Sequence, residues 1–125
     1  MIRSKQKFYW SDALYLARAK NILTLQSSDT NGQVYRCSHC SAFSRFMVTG
    51  AHPSGRWERI KPYEHYQLIK NFGEGTVSEN GLDALAVRDG KTLYRCPDCA
   101  SHWWKETSGW NKADDDMLDR TAAQT

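Results

Sequence analysis

The chain has 125 residues and a mass of 14.4 kDa, the length of one ordinary domain. Hydrophobic residues make up 40% of it and charged residues 25%, a composition that excludes an intrinsically disordered chain. No stretch reaches the roughly 20 apolar residues of a membrane-spanning helix, and the basic residues 1–7 lead into no apolar signal segment. We therefore expect a cytoplasmic protein in a reducing compartment, with no membrane partner, where paired cysteines hold metal more often than they form disulfides.

Charge is unevenly distributed along the chain. The formal net charge is +3, but residues 1–70 carry +7 and residues 71–125 carry −4. The overall charge therefore predicts no nucleic-acid binding, and only a local basic surface can support that function.

The first predicted element is an amphipathic helix over about residues 11–22. Ser11 suits the N-cap position and Asp12 the positive end of the helix dipole, and small and aliphatic side chains recur on one face. The polar residues 27–32 follow it and end in an Asn-Gly turn signal. They predict a loop after the helix.

A short motif then occurs twice. Residues 34–40 and 93–99 each read aliphatic, Tyr, Arg, Cys, two variable residues and Cys. Residues 84–88 precede the second copy and predict a β-hairpin that turns at Asp89 and Gly90. We expect the two copies to form similar walls of one site.

The segments around these motifs predict a mixed α+β domain. Residues 43–49 and 56–60 are predicted strands, and Pro62 opens a short helix that ends before Gly73. Residues 100–107 are predicted to be helical. The acidic residues 111–125 are expected to form a flexible tail. The interpretation is a single domain over residues 1–110, with an insertion at about 43–88 between the two motifs.

The four cysteines are the strongest functional signal. A Cys-x-x-Cys pair folds into a zinc knuckle in which both sulfurs face one point, and two such pairs supply a tetrahedron of thiolates for zinc. Cys37, Cys40, Cys96 and Cys99 are therefore the predicted ligands of one structural Zn²⁺ ion. Binding energies of about 10 kcal/mol or more would stabilise a chain that has few aliphatic residues for a core.

The second pair carries a further resemblance. Cys96 suits a helix N-cap, Pro97 the first helical position and Asp98 the second, so Cys99 falls in the first turn of a helix. This order of elements resembles the treble-clef and zinc-ribbon-like groups of four-cysteine zinc folds. It consists of a first knuckle, intervening hairpins and a second ligand pair that opens a terminal helix. The resemblance rests on residues 34–40 and 84–107, and it implies a structural ion and a helix after Cys99.

Other chemistries for the cysteines remain open at this point. His39 lies inside the first motif and His102 follows Cys99, so mixed cysteine and histidine ligation is one alternative. A redox pair at residues 96–99 and an iron–sulfur cluster are two others. A catalytic zinc ion is disfavoured, because four thiolates leave no position for water.

No catalytic set stands out elsewhere in the sequence. His52 and His65 lie near Glu58 and Glu64, which would suit a ββα-metal nuclease, but the Asp-His pair and the spaced Asn and His of that site are missing. We therefore expect no enzyme and no small-molecule substrate.

A basic and aromatic stretch after the first motif is the candidate binding surface. Arg36 and Arg95 precede the two cysteine pairs at equivalent positions, and residues 41–70 have a net charge of +3 with interleaved rings. The full candidate set is Arg36, Arg45, Arg56, Trp57, Arg59, Lys61 and Arg95. Exposed cations and rings of this kind suit phosphate contacts and base stacking, and they also suit a protein interface. The prediction is a non-catalytic, regulatory Zn(Cys)4 protein that binds DNA or RNA, with a protein adaptor or inhibitor as the alternative.

Overall fold

The computed structural model describes residues 10–30, 32–48 and 55–118, and they form two four-stranded antiparallel sheets. The first sheet consists of β1 (Leu23–Asp29), β2 (Gly32–Cys37), β3 (Phe43–Val48) and β4 (Gly55–Arg59), in that order. The second consists of β5 (Asp83–Arg88), β6 (Lys91–Arg95), β7 (His102–Glu106) and β8 (Gly109–Lys112), also in sequence order. The α+β class is confirmed.

Helices precede and follow the first sheet. Helix α1 (Trp10–Ala19) leads into β1, and α2 (Pro62–Phe72) begins at a proline and ends at Gly73, as the sequence predicts. A short 3-10 turn (Glu79–Gly81) precedes β5, and a helical turn over residues 115–118 ends the described part of the chain. None of the helices in the described residues is long and apolar enough to cross a membrane.

The second sheet repeats the first at a spacing of 59 residues, the separation of Cys37 from Cys96. In the first sheet Tyr35 pairs with Leu25 and Ser44, and in the second Tyr94 pairs with Ala84 and Trp103. Even the β-bulges correspond, because the register shifts between residues 25 and 27 and again between 84 and 86. The repeated motif is therefore part of a repeat that spans three strands in each sheet.

Two apolar clusters hold these elements together. The larger one contains all four cysteines together with Leu14 of α1, Trp57 of β4 and Trp103 of β7. The smaller one packs Val34, Phe43 and Ile60 against Leu68, Ile69 and Phe72 of α2. Because the larger cluster takes side chains from both sheets, the cysteines lie at the junction of the two repeats.

The helix predicted over residues 100–107 is wrong, and with it the terminal helix of the treble clef. Residues 102–106 form β7, which pairs with β6 and β8. Ala100 has a positive φ of 61°, which reverses the chain after Cys99 and starts a strand. Pro97 and Asp98 lie in the turn between β6 and β7.

Other segments also differ from the sequence prediction. Helix α1 stops at Ala19 because Asn21 adopts a left-handed conformation with φ of 63°. Residues 27–29 of the predicted loop at 27–32 belong to β1, and Gly32 opens β2. The domain boundary at residue 110 falls inside β8, and Asp115 of the predicted flexible tail is buried. Residues 119–125 of that tail lie outside the described residues.

Candidate metal centre

Each cysteine pair occupies the turn between two strands of one sheet. In the first turn the amide of Cys37 donates to the carbonyl of Ala42 at 2.8 Å, and the amide of Ser41 donates to the carbonyl of Cys37 at 2.8 Å. The second turn repeats both bonds at 2.9 Å, from Cys96 to the Ser101 carbonyl and from Ala100 to the Cys96 carbonyl. The two turns therefore have matching hydrogen bonds at corresponding residues.

A left-handed residue directly follows the second cysteine in both turns. Ser41 has a φ of 70° and Ala100 a φ of 61°, values that only a few per cent of non-glycine residues adopt. This conformation returns the chain into the next strand, β3 or β7, and leaves the cysteine side chains directed at the opposite repeat.

The four thiols converge on one buried point. The four cysteines are at most 1% exposed, and all four sulfurs lie within 4.8 Å of one another. The Cys37 and Cys96 sulfurs are 3.9 Å apart, and those of Cys40 and Cys99 are 3.4 Å apart. A tetrahedron with Zn–S bonds of about 2.3 Å has sulfurs about 3.8 Å apart, whereas a disulfide needs about 2.05 Å. The cluster therefore fits a metal ion, and the four cysteines are free thiols.

Ionisation of the whole cluster is unfavourable without a metal ion. Burial raises the pKa of the Cys40 thiol well above its usual range, and the hydrogen bond with Cys40 lowers the pKa of Cys37. Burial and the repulsion between neighbouring thiolates both disfavour four ionised sulfurs at one point. A divalent cation supplies the compensating positive charge.

Neither histidine of the mixed-ligation alternative joins the four sulfurs. His39 Nδ1 lies 2.6 Å from Asp98 Oδ2, so the variable residues of the two motifs pair with each other across the site. The possible ligand atoms of His39, Cys96 and Asp98 also lie within 4.8 Å of one another. His102 is buried and hydrogen-bonded to Asp115 instead. The four sulfurs remain the more completely buried set.

Several members of the candidate binding surface hold the fold together. Arg36 donates to the carbonyls of Ser41, Phe72 and Glu74 and lies over the Phe43 ring. Arg45 forms an ion pair with Glu64. These guanidinium groups fix α2 and the loop after it to the first sheet.

The sequence predicts exposed side chains for Trp57 and Arg59, and that prediction is wrong. Trp57 is buried against the rings of Phe46, Tyr35 and Tyr15. The Arg59 side chain is 2% exposed and donates to the Ala100 carbonyl at 3.0 Å. The two residues are two positions apart in β4, so both side chains lie on its inner face and pack there instead of facing solvent.

The remaining candidates lie nearer the surface. Arg56 is 71% exposed beside Glu58, and Lys61 lies 2.9 Å from Asp116. Arg95 is half-buried and pairs with His102 of β7. Arg36 pairs with Phe43 at the corresponding position of the first sheet. The structure does not gather the seven candidates on one exposed surface.

A buried cluster of charges escaped the sequence analysis. The carboxylate of Asp115 accepts a hydrogen bond from Lys112 Nζ at 2.6 Å and lies 3.1 Å from His102 Nδ1 and 3.9 Å from Arg59 Nη1. Although burial opposes its ionisation, the Lys112 ammonium helps to hold the pKa of Asp115 below its usual value. The acidic run of residues 114–116 is typical of a solvated tail, and no local pattern distinguishes its middle residue.

His65 is a second buried titratable group. Its ring packs against Phe43 and Trp103, and burial together with nearby Lys112 and Arg36 lowers its pKa to about 4. The ring therefore packs between α2 and both sheets. His65 is one of the two histidines of the nuclease alternative. His52 of that alternative lies outside the described residues.

Neither a protein-family model, nor a curated protein, nor a solved structure matches this chain.

Proposed function

We propose that the chain binds one structural Zn²⁺ ion through Cys37, Cys40, Cys96 and Cys99 and acts as a non-catalytic recognition domain. The spacing of the four buried sulfurs carries this proposal, because distances of 3.4 and 3.9 Å between sulfurs suit tetrahedral thiolate ligation. A set of four thiolates favours zinc over harder cations such as magnesium or calcium.

The turns that carry the cysteines act as two zinc knuckles, one from each repeat. Their amide hydrogen bonds and left-handed residues orient both sulfurs of a pair toward the ion. The ion would link β2 and β3 of the first sheet to β6 and β7 of the second. With all four positions filled by sulfur, no water or substrate can be activated there, so the role is structural.

For the partner, the contacts of the cations favour a protein over a nucleic acid. Arg36, Arg45 and Arg59 each bind groups of the chain itself, which reduces the cations available for a phosphate backbone. Exposed tyrosines at positions 15 and 63 suit a protein interface. The function supported best is therefore a zinc-stapled adaptor or inhibitor in a reducing compartment.

Metal content tests the first part of the proposal. Elemental analysis of the purified chain should give about one zinc ion per chain, with the thiols unreactive until a chelator is added. Chelation under reducing conditions should unfold both sheets, because the ion lies where the two repeats meet. Cys40→Ser should lose the metal, and the matched variant His39→Ala should keep it.

Two results would contradict this assignment. One is a folded, metal-free protein with four reactive thiols, and the other is iron in place of zinc. Loss of zinc from His39→Ala would instead move one ligand from a cysteine to that histidine.

The partner class is tested with labelled duplex and single-stranded DNA and RNA at low and physiological salt. We expect no measurable binding at physiological salt, and a partner captured from lysate should survive nuclease treatment. Binding that falls by orders of magnitude with added salt, and falls again in Arg56→Ala but not in Lys70→Ala, would restore the nucleic-acid hypothesis.

A further inference from the structure

Strand β5 is an exposed edge of the second sheet. It pairs with β6 on one side, and no strand of the described residues pairs with its outer side. All six of its residues are exposed, including Leu85 at 44% and Val87 at 75%. A strand of this kind presents unpaired backbone donors and acceptors beside apolar side chains.

The charges at the two ends of β5 are opposite in sign. The strand begins with Asp83 and ends with Arg88, and neither residue forms an ion pair within the described part of the chain. The corresponding edge strand β1 has Thr24 and Asp29 at these positions, so it lacks the complementary pair. The two repeats differ here despite their common register.

The register of β5 on β6 decides which side chains share a face. Asp83, Ala86 and Arg88 pair with alternate residues 95, 93 and 91 of β6 and therefore lie on one face. Ala84 and Val87 pair with residues 94 and 92 and lie on the other. The bulge at Leu85 shifts the alternation by one residue between the two halves of the strand.

We infer that β5 pairs with β5 of a second copy of this chain, antiparallel and about a two-fold axis. With Asp83 opposite Arg88 of the copy, Ala84 falls opposite Val87, and both of these matched pairs join residues of the same face of the sheet. Each dimer then has two Asp–Arg pairs on one face and two Ala–Val contacts on the other. The result is a continuous eight-stranded sheet.

The bulge and the terminal charges make this edge selective. Bulges and charges ordinarily protect an edge strand from pairing with arbitrary strands. Because of the bulge, residue 83 lies on the same face as residue 88, and residue 84 lies on the same face as residue 87. In the proposed register these same-face residues lie opposite each other across the interface. A strand of another protein without the bulge and the complementary charges would pair poorly with β5. The β5 strand of a second copy has both features.

The interface is small, so the dimer should be weak and dependent on concentration. A single strand edge buries less than the roughly 1,200 Å² of a stable complex, which places the association with transient contacts. Sedimentation velocity over a concentration series of the zinc-loaded chain measures it directly, and no folding change is needed to see it.

A charge-reversal series tests the register. Asp83→Arg places an arginine opposite Arg88 of the copy at both ends of the interface, and this repulsion should abolish the dimer. The double variant D83R/R88D exchanges the two charges and should restore the dimer. Glu74→Arg makes the same change in net charge at an exposed position away from β5 and should dimerise like the parent.

The outcomes of the series distinguish this dimer from any other. A concentration-dependent dimer that D83R removes and D83R/R88D recovers supports the inference. A parent that stays monomeric at the highest accessible concentration overturns it. So does a dimer that persists in D83R, since that would place the contact elsewhere on the molecule. Circular dichroism of each variant confirms that the fold is intact.

Discussion

At the scale of single residues, Asp115 lies at the centre of a buried cluster of charges. Its carboxylate is 3% exposed and balances two buried cations, Lys112 and Arg59, which come from the last strands of the two sheets. The same carboxylate accepts the His102 amide at 2.7 Å. One acidic side chain therefore compensates charges from both sheets.

Asp115→Asn should be strongly destabilising, because it leaves Lys112 and Arg59 buried without a counter-charge. Breaking a buried ion pair by removing one partner costs about 3–5 kcal/mol. The neighbouring variant Asp116→Asn removes only a surface pair with Lys61 and should cost about 1 kcal/mol or less. Urea unfolding of the two zinc-loaded variants measures the difference. Equal losses of unfolding free energy would show that the Asp115 charge is not needed.

At the scale of elements, α2 is the piece whose packing should depend on pH. His65 of α2 is neutral when folded, with a pKa of about 4, whereas an unfolded histidine has a pKa of about 6.5. Between these values the unfolded state binds more protons, so stability falls as the pH drops through that window. The contribution is present in full above about pH 6.5 and is lost progressively toward pH 4.

Replacing this histidine isolates its contribution. The variant His65→Phe keeps a ring between Phe43 and Trp103 but does not titrate. Between pH 7 and pH 5 the free energy of unfolding of the parent should fall by about 2 kcal/mol more than that of this variant. Effects of acid on the cysteines are common to both proteins and cancel in the comparison. Unfolding free energies at pH 7 and pH 5 test it, and parallel pH profiles would contradict the role of His65.

At the scale of the whole molecule, the corresponding cysteines face each other across the junction of the two repeats. Cys37 lies beside Cys96 and Cys40 beside Cys99, and the intervening His39 pairs with Asp98 at the same spacing. This arrangement is that of a two-fold relation between the sheets, with the thiols near the axis. A metal ion at that point would contact both repeats equally, which explains why each repeat supplies two cysteines.

Local chemistry allowed the sequence to identify the cysteine cluster, the turn residues and several elements. Two Cys-x-x-Cys pairs are a specific local signal for metal ligation, and the predicted cluster of four cysteines is present. Asp89 and Gly90 both adopt positive φ in the predicted hairpin, and Pro62 and Gly73 bound α2, because these residues constrain the backbone by themselves.

Only the tertiary structure decided which polar residues are buried and which element comes after the second cysteine pair. Helix signals at Pro97 and Asp98 were overridden because β6 and β8 supply hydrogen bonds to residues 102–106 from both sides. Arg59 and Asp115 have ordinary surface patterns in sequence. The burial of Arg59 depends on a partner 41 residues away, and that of Asp115 on the return of the chain after β8. Contacts of this kind leave no local signal in the sequence, because the burial of each side chain depends on residues that are distant in the chain and come close only on folding.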